Sequence, residues 1–296
     1  MQLSGSITAL ATPFTVAGEP DFAAWSRLIG RQLEAGTAGL VVAGSTGEAA
    51  ALTDGEYTAL LRAAVEQVAG RVPVLAGTGL SNTAKTIAQT RLARDGGADV
   101  ALVVTPPYVR PTPEGLVSHY RAVAEAGGLP VVLYNVPGRT GCDMSPDVVA
   151  QLRDHENIIG LKEARGDDAR WQALYPLAGD DFALLSGDDP TFVGAMLGGA
   201  AGVISVASNV VPAAFARLCR LARSGQAGDA QALDARLAAL YDFLGVEPNP
   251  IPVKALLALQ GIGHGLRLPL LPLSPRHAAA AEAMAALCEQ IESELK

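Results

Sequence analysis

The run Ile158-Ile159-Gly160-Leu161-Lys162-Glu163-Ala164 is apolar almost throughout and does not alternate with polar residues. Strands buried on both faces read this way, as in a parallel sheet covered by helices. Seven similar runs occur: Ser6–Leu10, Gly39–Gly44, Val72–Thr78, Val100–Thr105, Pro130–Val136, Phe182–Gly187 and Gly202–Ser208. Between them lie amphipathic stretches. Asp21–Ala35 and Asp54–Ala69 carry apolar residues at helical spacing. Thr53-Asp54-Gly55-Glu56 is a capping-box pattern, with Thr53 as N-cap and Glu56 three positions on. Pro146, after Ser145, suits the first turn of another helix.

Eight strand–helix units predict an α/β fold of the (β/α)8 TIM-barrel type, which takes about 250 residues. A doubly wound open sheet is the rival. It usually has fewer strands and often a phosphate-binding glycine fingerprint. The barrel is expected to close near Gly225, so residues 1–225 form the barrel with the catalytic site. Residues 226–296 have helical stretches at Ala227–Leu244, Pro252–Gln260 and Pro275–Leu295. They are expected as a C-terminal helical appendage packed on the barrel, not as an independent domain.

Composition narrows the function. The 296 residues are 49% hydrophobic, enough for a large core. No apolar run reaches the ~18 residues of a membrane span. The start, Met1-Gln2-Leu3-Ser4-Gly5, lacks the basic and apolar parts of a signal peptide, so a cytoplasmic setting is expected. Thirty acidic against twenty-two basic side chains give a net charge of -8, which argues against a nucleic-acid partner. A small anionic substrate stays open, because one local arginine can reverse the sign of a pocket. Cys142, Cys219 and Cys288 form no CxxC, and His119, His155, His264 and His277 show no zinc-site spacing. No metal is expected.

Two glycine-rich stretches are decoys. Gly77-Thr78-Gly79 is followed by Asn82 where a dinucleotide fingerprint needs glycine. Gly198-Gly199-Ala200-Ala201-Gly202 lacks the Lys-Ser/Thr of a P-loop.

Lys162 is the first candidate. Burial disfavours a charged amine, and the neutral amine is the nucleophile that a Schiff-base enzyme sets on a carbonyl. The alternative is a strand-end lysine paired with Glu163. Alternation opposes it, since neighbouring strand residues point to opposite faces. Tyr134-Asn135-Val136-Pro137-Gly138-Arg139-Thr140-Gly141 ends the fifth run, where a barrel carries its active site. Tyr134 could move a proton and Arg139 could grip a carboxylate. The alternative is a buried tyrosine followed by a turn with a solvated arginine. Gly44-Ser45-Thr46-Gly47-Glu48 ends the second run and could bring backbone N–H groups to an anion. It could equally be a capped strand–helix turn.

YNVPGRTG (134–141), IIGLKEA (158–164), LLSGDD (184–189) and VEPNPIPVK (246–254) together resemble the dihydrodipicolinate synthase / N-acetylneuraminate lyase family. The resemblance runs from Gly5-Ser6-Ile7 to Lys254. It implies a Schiff-base lyase, most similar to the branch that condenses pyruvate with L-aspartate 4-semialdehyde in lysine and diaminopimelate biosynthesis. It implies that Lys162 forms the imine with pyruvate, that Tyr134 relays protons, and that Ser45 passes them to Tyr108. Tyr108 would come from a neighbouring subunit, within a homotetramer built as a dimer of dimers. Thr46 would hold the pyruvate carboxylate and Arg139 that of the aldehyde, with Gly187 and Ile204 lining the lysine site. No metal or organic cofactor is implied.

The synthase branch usually has Thr where Ser45 stands, so the aldehyde substrate is less fixed than the chemistry. The alternatives are a pyruvate aldolase acting on N-acetylneuraminate or a 2-keto-3-deoxy sugar acid, and a silent keto-acid-binding member. Arg139 favours the first reading, because the sialate lyases lack arginine at this point. The resemblance further implies a regulatory L-lysine pocket near Asp54, Tyr57, Ser81 and Pro107. Relatives typically meet the ligand's amine there with a glutamate, and this chain has Lys85.

Overall fold

The structure is a computed structural model that describes residues 2–295. The apolar runs form eight strands: β1 (Gly5–Ala9), β2 (Gly39–Val42), β3 (Val74–Gly77), β4 (Val100–Val104), β5 (Val131–Asn135), β6 (Ile158–Glu163), β7 (Ala183–Ser186) and β8 (Gly202–Ser205). All pair in parallel with their sequence neighbours, and β8 returns to β1 to close the barrel. At the closure Gly202 lies opposite Gly5, and a Cβ on Gly202 would strike the Gly5 carbonyl oxygen. Only glycine permits that approach.

The connections and the C-terminal region are helical: α1 (Phe22–Glu34), α2 (Asp54–Val68), α3 (Thr83–Asp95), α4 (Pro113–Ala126), α5 (Pro137–Thr140), α6 (Pro146–Leu152), α7 (Asp168–Leu174), α8 (Phe192–Gly198), α9 (Pro212–Arg223), α10 (Ala227–Ala235), α11 (Ala238–Leu244), α12 (Ile251–Leu259) and α13 (Ala278–Glu294). The predicted capping box is formed. Glu56 N–H donates to Thr53 Oγ1 at 3.2 Å, and Thr53 N–H donates to Glu56 Oε2 at 2.8 Å.

Apart from shifts of one or two residues at element ends, three boundaries differ from the sequence reading. The eighth run does not stay extended to Ser208: β8 stops at Ser205 and Ala207–Asn209 curls into a 3-10 turn. The Asn209 side chain fixes that turn against the end of β1, accepting from Ala11 N–H at 3.0 Å and donating to Ala9 O at 2.8 Å. The stretch Ala227–Leu244 is two helices. Arg236 and Leu237 donate to carbonyls three residues back, a tightened turn that brings Leu237, Leu240 and Phe243 to the core. Pro275–His277 is likewise a 3-10 turn, and α13 begins only at Ala278.

Two apolar layers result. One fills the barrel, with Ile7, Val41, Leu75, Val132, Leu185 and Ile204 among its members. The other lies between strands and helices and takes in Leu237, Leu240, Phe243 and Leu256 from the C-terminal region. That region is also joined to the barrel by polar contacts. The Glu292 carboxylate accepts the N–H groups of Ala213 and Ala214, at 3.1 and 3.0 Å, and so caps α9.

Candidate active site

Leu161 belongs to the outer apolar layer, so alternation turns Lys162 into the barrel and Glu163 outward. Lys162 is 5% exposed. Its strand pairs with β5 so that Lys162 lies opposite Tyr134, and the Lys162 Nζ sits 4.3 Å from the centre of the Tyr134 ring. Gly187 closes the other side. A Cβ there would lie 2.7 Å from Lys162 Cε, so glycine leaves the room in which the lysine stem sits. Ile204 is fully buried in the same interior layer.

Glu163 decides between the two readings of the lysine. Its carboxylate accepts from Arg170 Nε at 2.7 Å, from Asn135 Nδ2 at 3.0 and 3.1 Å, and from Arg165 N–H at 2.9 Å. Burial pushes its carboxyl up, against the pull of Arg170. Glu163 is therefore the partner of Arg170 on the outer face, and the lysine is left to the interior.

A cavity of about 660 Å³ opens among Ser45, Tyr134, Val136, Arg139 and Asn249; Tyr134 links it to the lysine, while Lys162, Thr46, Gly187 and Ile204 are not among its lining residues. Ser45 is exposed and Thr46 is buried just behind it. The loop that carries them turns through two left-handed residues, Ala43 and Glu48. Asn249 binds both carboxylate-gripping candidates. Its Nδ2 donates to Thr46 Oγ1 at 3.1 Å, and its backbone carbonyl accepts from Arg139 Nη2 at 3.0 Å. Two residues past Thr46, Glu48 forms a buried ion pair with Lys254 and accepts from Arg267 N–H at 3.1 Å. Lys254 Nζ and the Arg267 guanidinium both lie over the Phe14 ring, at 4.2 and 4.4 Å.

Tyr108 is not on the cavity wall. The residue is 93% exposed, and its backbone is left-handed at φ 75°. Asp189 is buried after β7. Its Oδ2 accepts from Ala207 and Val206 N–H at 2.7 and 3.1 Å, while burial pushes its carboxyl up to about 6. Among the described residues no three His, Cys, Asp or Glu side chains gather as metal ligands would, and no helix is long and apolar enough to cross a membrane.

The model of the dihydrodipicolinate synthetase family matches residues 2–288. The chain belongs to that family. A 4-hydroxy-tetrahydrodipicolinate synthase of Xanthomonas axonopodis pv. citri is 66% identical over 97% of this chain and 95% of its own. One from Pseudomonas aeruginosa is 47% identical, covering 93% and 94%. Among solved structures, the chloride-inhibited dihydrodipicolinate synthase of Acinetobacter baumannii, complexed with pyruvate, superposes with a TM-score of 0.95 at 40% identity, covering 97% and 99%. As a dihydrodipicolinate synthetase family member, the chain has the barrel that its apolar runs predict. Three residues escaped the reading of the sequence. Asn249 and Lys254 lie in VEPNPIPVK and Asp189 in LLSGDD, each inside a stretch that carries the family likeness. The partners of Asn249 and Lys254 are more than a hundred positions away, and those of Asp189 lie on the next strand's loop, 17 and 18 positions on.

Proposed function

We propose that this chain condenses pyruvate with L-aspartate 4-semialdehyde to give 4-hydroxy-tetrahydrodipicolinate, a step of lysine and diaminopimelate biosynthesis. The observation that carries the reading is the Lys162 amine, buried on the inner barrel face against the Tyr134 ring, in a chain 66% identical to a synthase of that name. The neutral amine adds to the keto carbon of pyruvate, and the carbinolamine loses water to leave an imine. The imine draws electrons, so a methyl proton departs and an enamine forms. Its terminal carbon bonds to the aldehyde carbon, and the aldehyde oxygen takes up a proton. The substrate's own amine then attacks the imine carbon, closes the ring and releases Lys162.

Tyr134, whose ring faces the amine, relays protons to it, and Ser45 lines the same cavity as Tyr134. Thr46 holds the pyruvate carboxylate, Arg139 that of the semialdehyde, and Gly187 and Ile204 shape the lysine site. Tyr108, with its ring in solvent, completes the relay of a neighbouring copy in a homotetramer built from two dimers. Residues 226–296 serve the site rather than a separate task, since Asn249, Lys254 and Arg267 reach back to the loop after β2. The net charge of -8 and three free cysteines suit a cytoplasmic enzyme of small substrates that takes no nucleic-acid partner.

Borohydride reduction with pyruvate, followed by peptide mapping, tests the imine. The mass gain is expected on the peptide that contains Lys162, and a gain elsewhere or none overturns the mechanism. Aspartate semialdehyde and N-acetylneuraminate, assayed side by side, test the substrate. Turnover of the sialic acid alone would transfer the chain to the sugar-acid aldolases.

A further inference from the structure

We propose that Asn249 is a positioning residue whose side-chain amide aims the Thr46 hydroxyl at the pyruvate carboxylate. The inference rests on the role of Thr46 in the function proposed above. A threonine hydroxyl has one hydrogen to donate and two lone pairs to accept with, whereas an amide –NH2 only donates. Because Asn249 Nδ2 donates to Thr46 Oγ1 at 3.1 Å, the hydroxyl hydrogen cannot point back at it. That hydrogen remains for another acceptor, and a substrate carboxylate is the strong acceptor that the site receives. Thr46 is 3% exposed, so water does not compete freely for it.

Two further observations support a positioning role. Asn249 Oδ1 is buried and has no hydrogen-bond partner among the described residues. Among those residues its side-chain amide therefore makes one hydrogen bond, the one to Thr46. The segments that carry the two residues are also laced together beyond the contact, by Lys254 to Glu48 and by Arg267 N–H to Glu48. The geometry divides one residue between two jobs. The side chain serves Thr46, while the backbone carbonyl holds Arg139 at 3.0 Å. A side-chain substitution therefore disturbs the first and spares the second.

Asn249→Ala should raise the pyruvate KM by about 2- to 10-fold, the worth of one hydrogen bond, and leave the semialdehyde KM nearly unchanged. Asn249→Asp is close in shape but only accepts. It should turn the hydroxyl toward itself, add a negative charge beside the anion, and raise the pyruvate KM more than the alanine variant does. In a Thr46→Val background Asn249→Ala should have no further effect on the pyruvate KM. A purely architectural residue gives the opposite ordering: the isosteric aspartate is milder than alanine, and both KM values move together with the melting temperature. That ordering, or full additivity with Thr46→Val, overturns the proposal. If alanine fails to fold, the aspartate variant and the Thr46→Val cycle with Asn249→Asp decide it. Absence of any pyruvate adduct in the unaltered protein is a different result, which removes the functional reading itself.

Discussion

Arg139 carries its charge at the wall of the cavity and already has one neutral partner, the Asn249 carbonyl. A guanidinium offers five N–H donors, so that bond leaves a fork for a carboxylate. Arg139→Ala is expected to cost about 1.5–3 kcal/mol in kcat/KM for the semialdehyde, the worth of a hydrogen bond to a charged group. Reductive trapping of pyruvate on Lys162 should stay near the wild-type extent. Wild-type kinetics with the semialdehyde would strip Arg139 of the role. Individual residues differ in how far sequence reveals them. Lys162 was legible because its neighbours report burial and alternation reports its face. Alternation also set Glu163 on the other face, but that Arg170, seven positions on, takes its carboxylate was not legible. Asn249 was illegible for a plainer reason: its partners stand 203 and 110 positions away, and no local pattern encodes such a bond.

Elements were readable where short-range chemistry sets them. Thr53 with Glu56, and Ser145 before Pro146, mark the starts of α2 and α6 without help from the fold. The break between α10 and α11 is different, since it follows from which leucines the barrel surface accepts. Within α4, His119 donates to or accepts from Thr83 Oγ1 through Nδ1 at 2.9 Å, and its Nε2 is buried with no hydrogen-bond partner among the described residues. Burial holds this imidazole down to about 4, below its ordinary 6.5. The folded state thus prefers the neutral ring. Its contribution is complete above pH 6.5 and is lost as the pH falls from there through 4. Urea unfolding between neutral pH and about pH 4.5 should therefore weaken the wild type more than His119→Gln, which has no proton to gain. Equal losses would mean that His119 is already hydrated. The first turn of α3 makes a second expectation. Lys85 is exposed there and does not itself line the cavity, but Gln89, one turn on, lines it together with Asp54, Tyr57, Leu80 and Pro107. A cation at this point repels the ammonium of free L-lysine, and like-charge contact can cost several kcal/mol. Initial rates are expected to fall little with L-lysine up to the millimolar range. Half-inhibition well below a millimolar would show that Asp54 outweighs Lys85.

At the scale of the whole molecule, eight near-continuous apolar runs pointed to the barrel, because a doubly wound sheet usually has fewer strands and often a glycine fingerprint that this chain lacks. What they could not convey is that one chain leaves a tyrosine outside its own cavity. Tyr108 is held in a left-handed conformation, with its N–H bonded to Thr140 O at 3.1 Å and its ring in solvent. If that ring completes the site of another copy, two inactive variants can repair each other. Tyr108→Phe and Lys162→Ala, co-expressed, should regain part of the activity, since each mixed dimer holds one site with both residues intact. No recovery, with mixed assembly proven by native mass spectrometry, would confine the site to one chain.

The lacing of Asn249, Lys254 and Arg267 onto the loop after β2 bears on how the gene can be damaged. A stop codon just past Gly225 spares every strand and the lysine itself. It still deletes the brace behind Thr46, the carbonyl that holds Arg139, and the leucines of 237 and 240 that cover the barrel's flank. Truncated reading frames of this kind keep IIGLKEA and lose VEPNPIPVK, so the presence of the lysine motif in a fragment is no measure of a working copy.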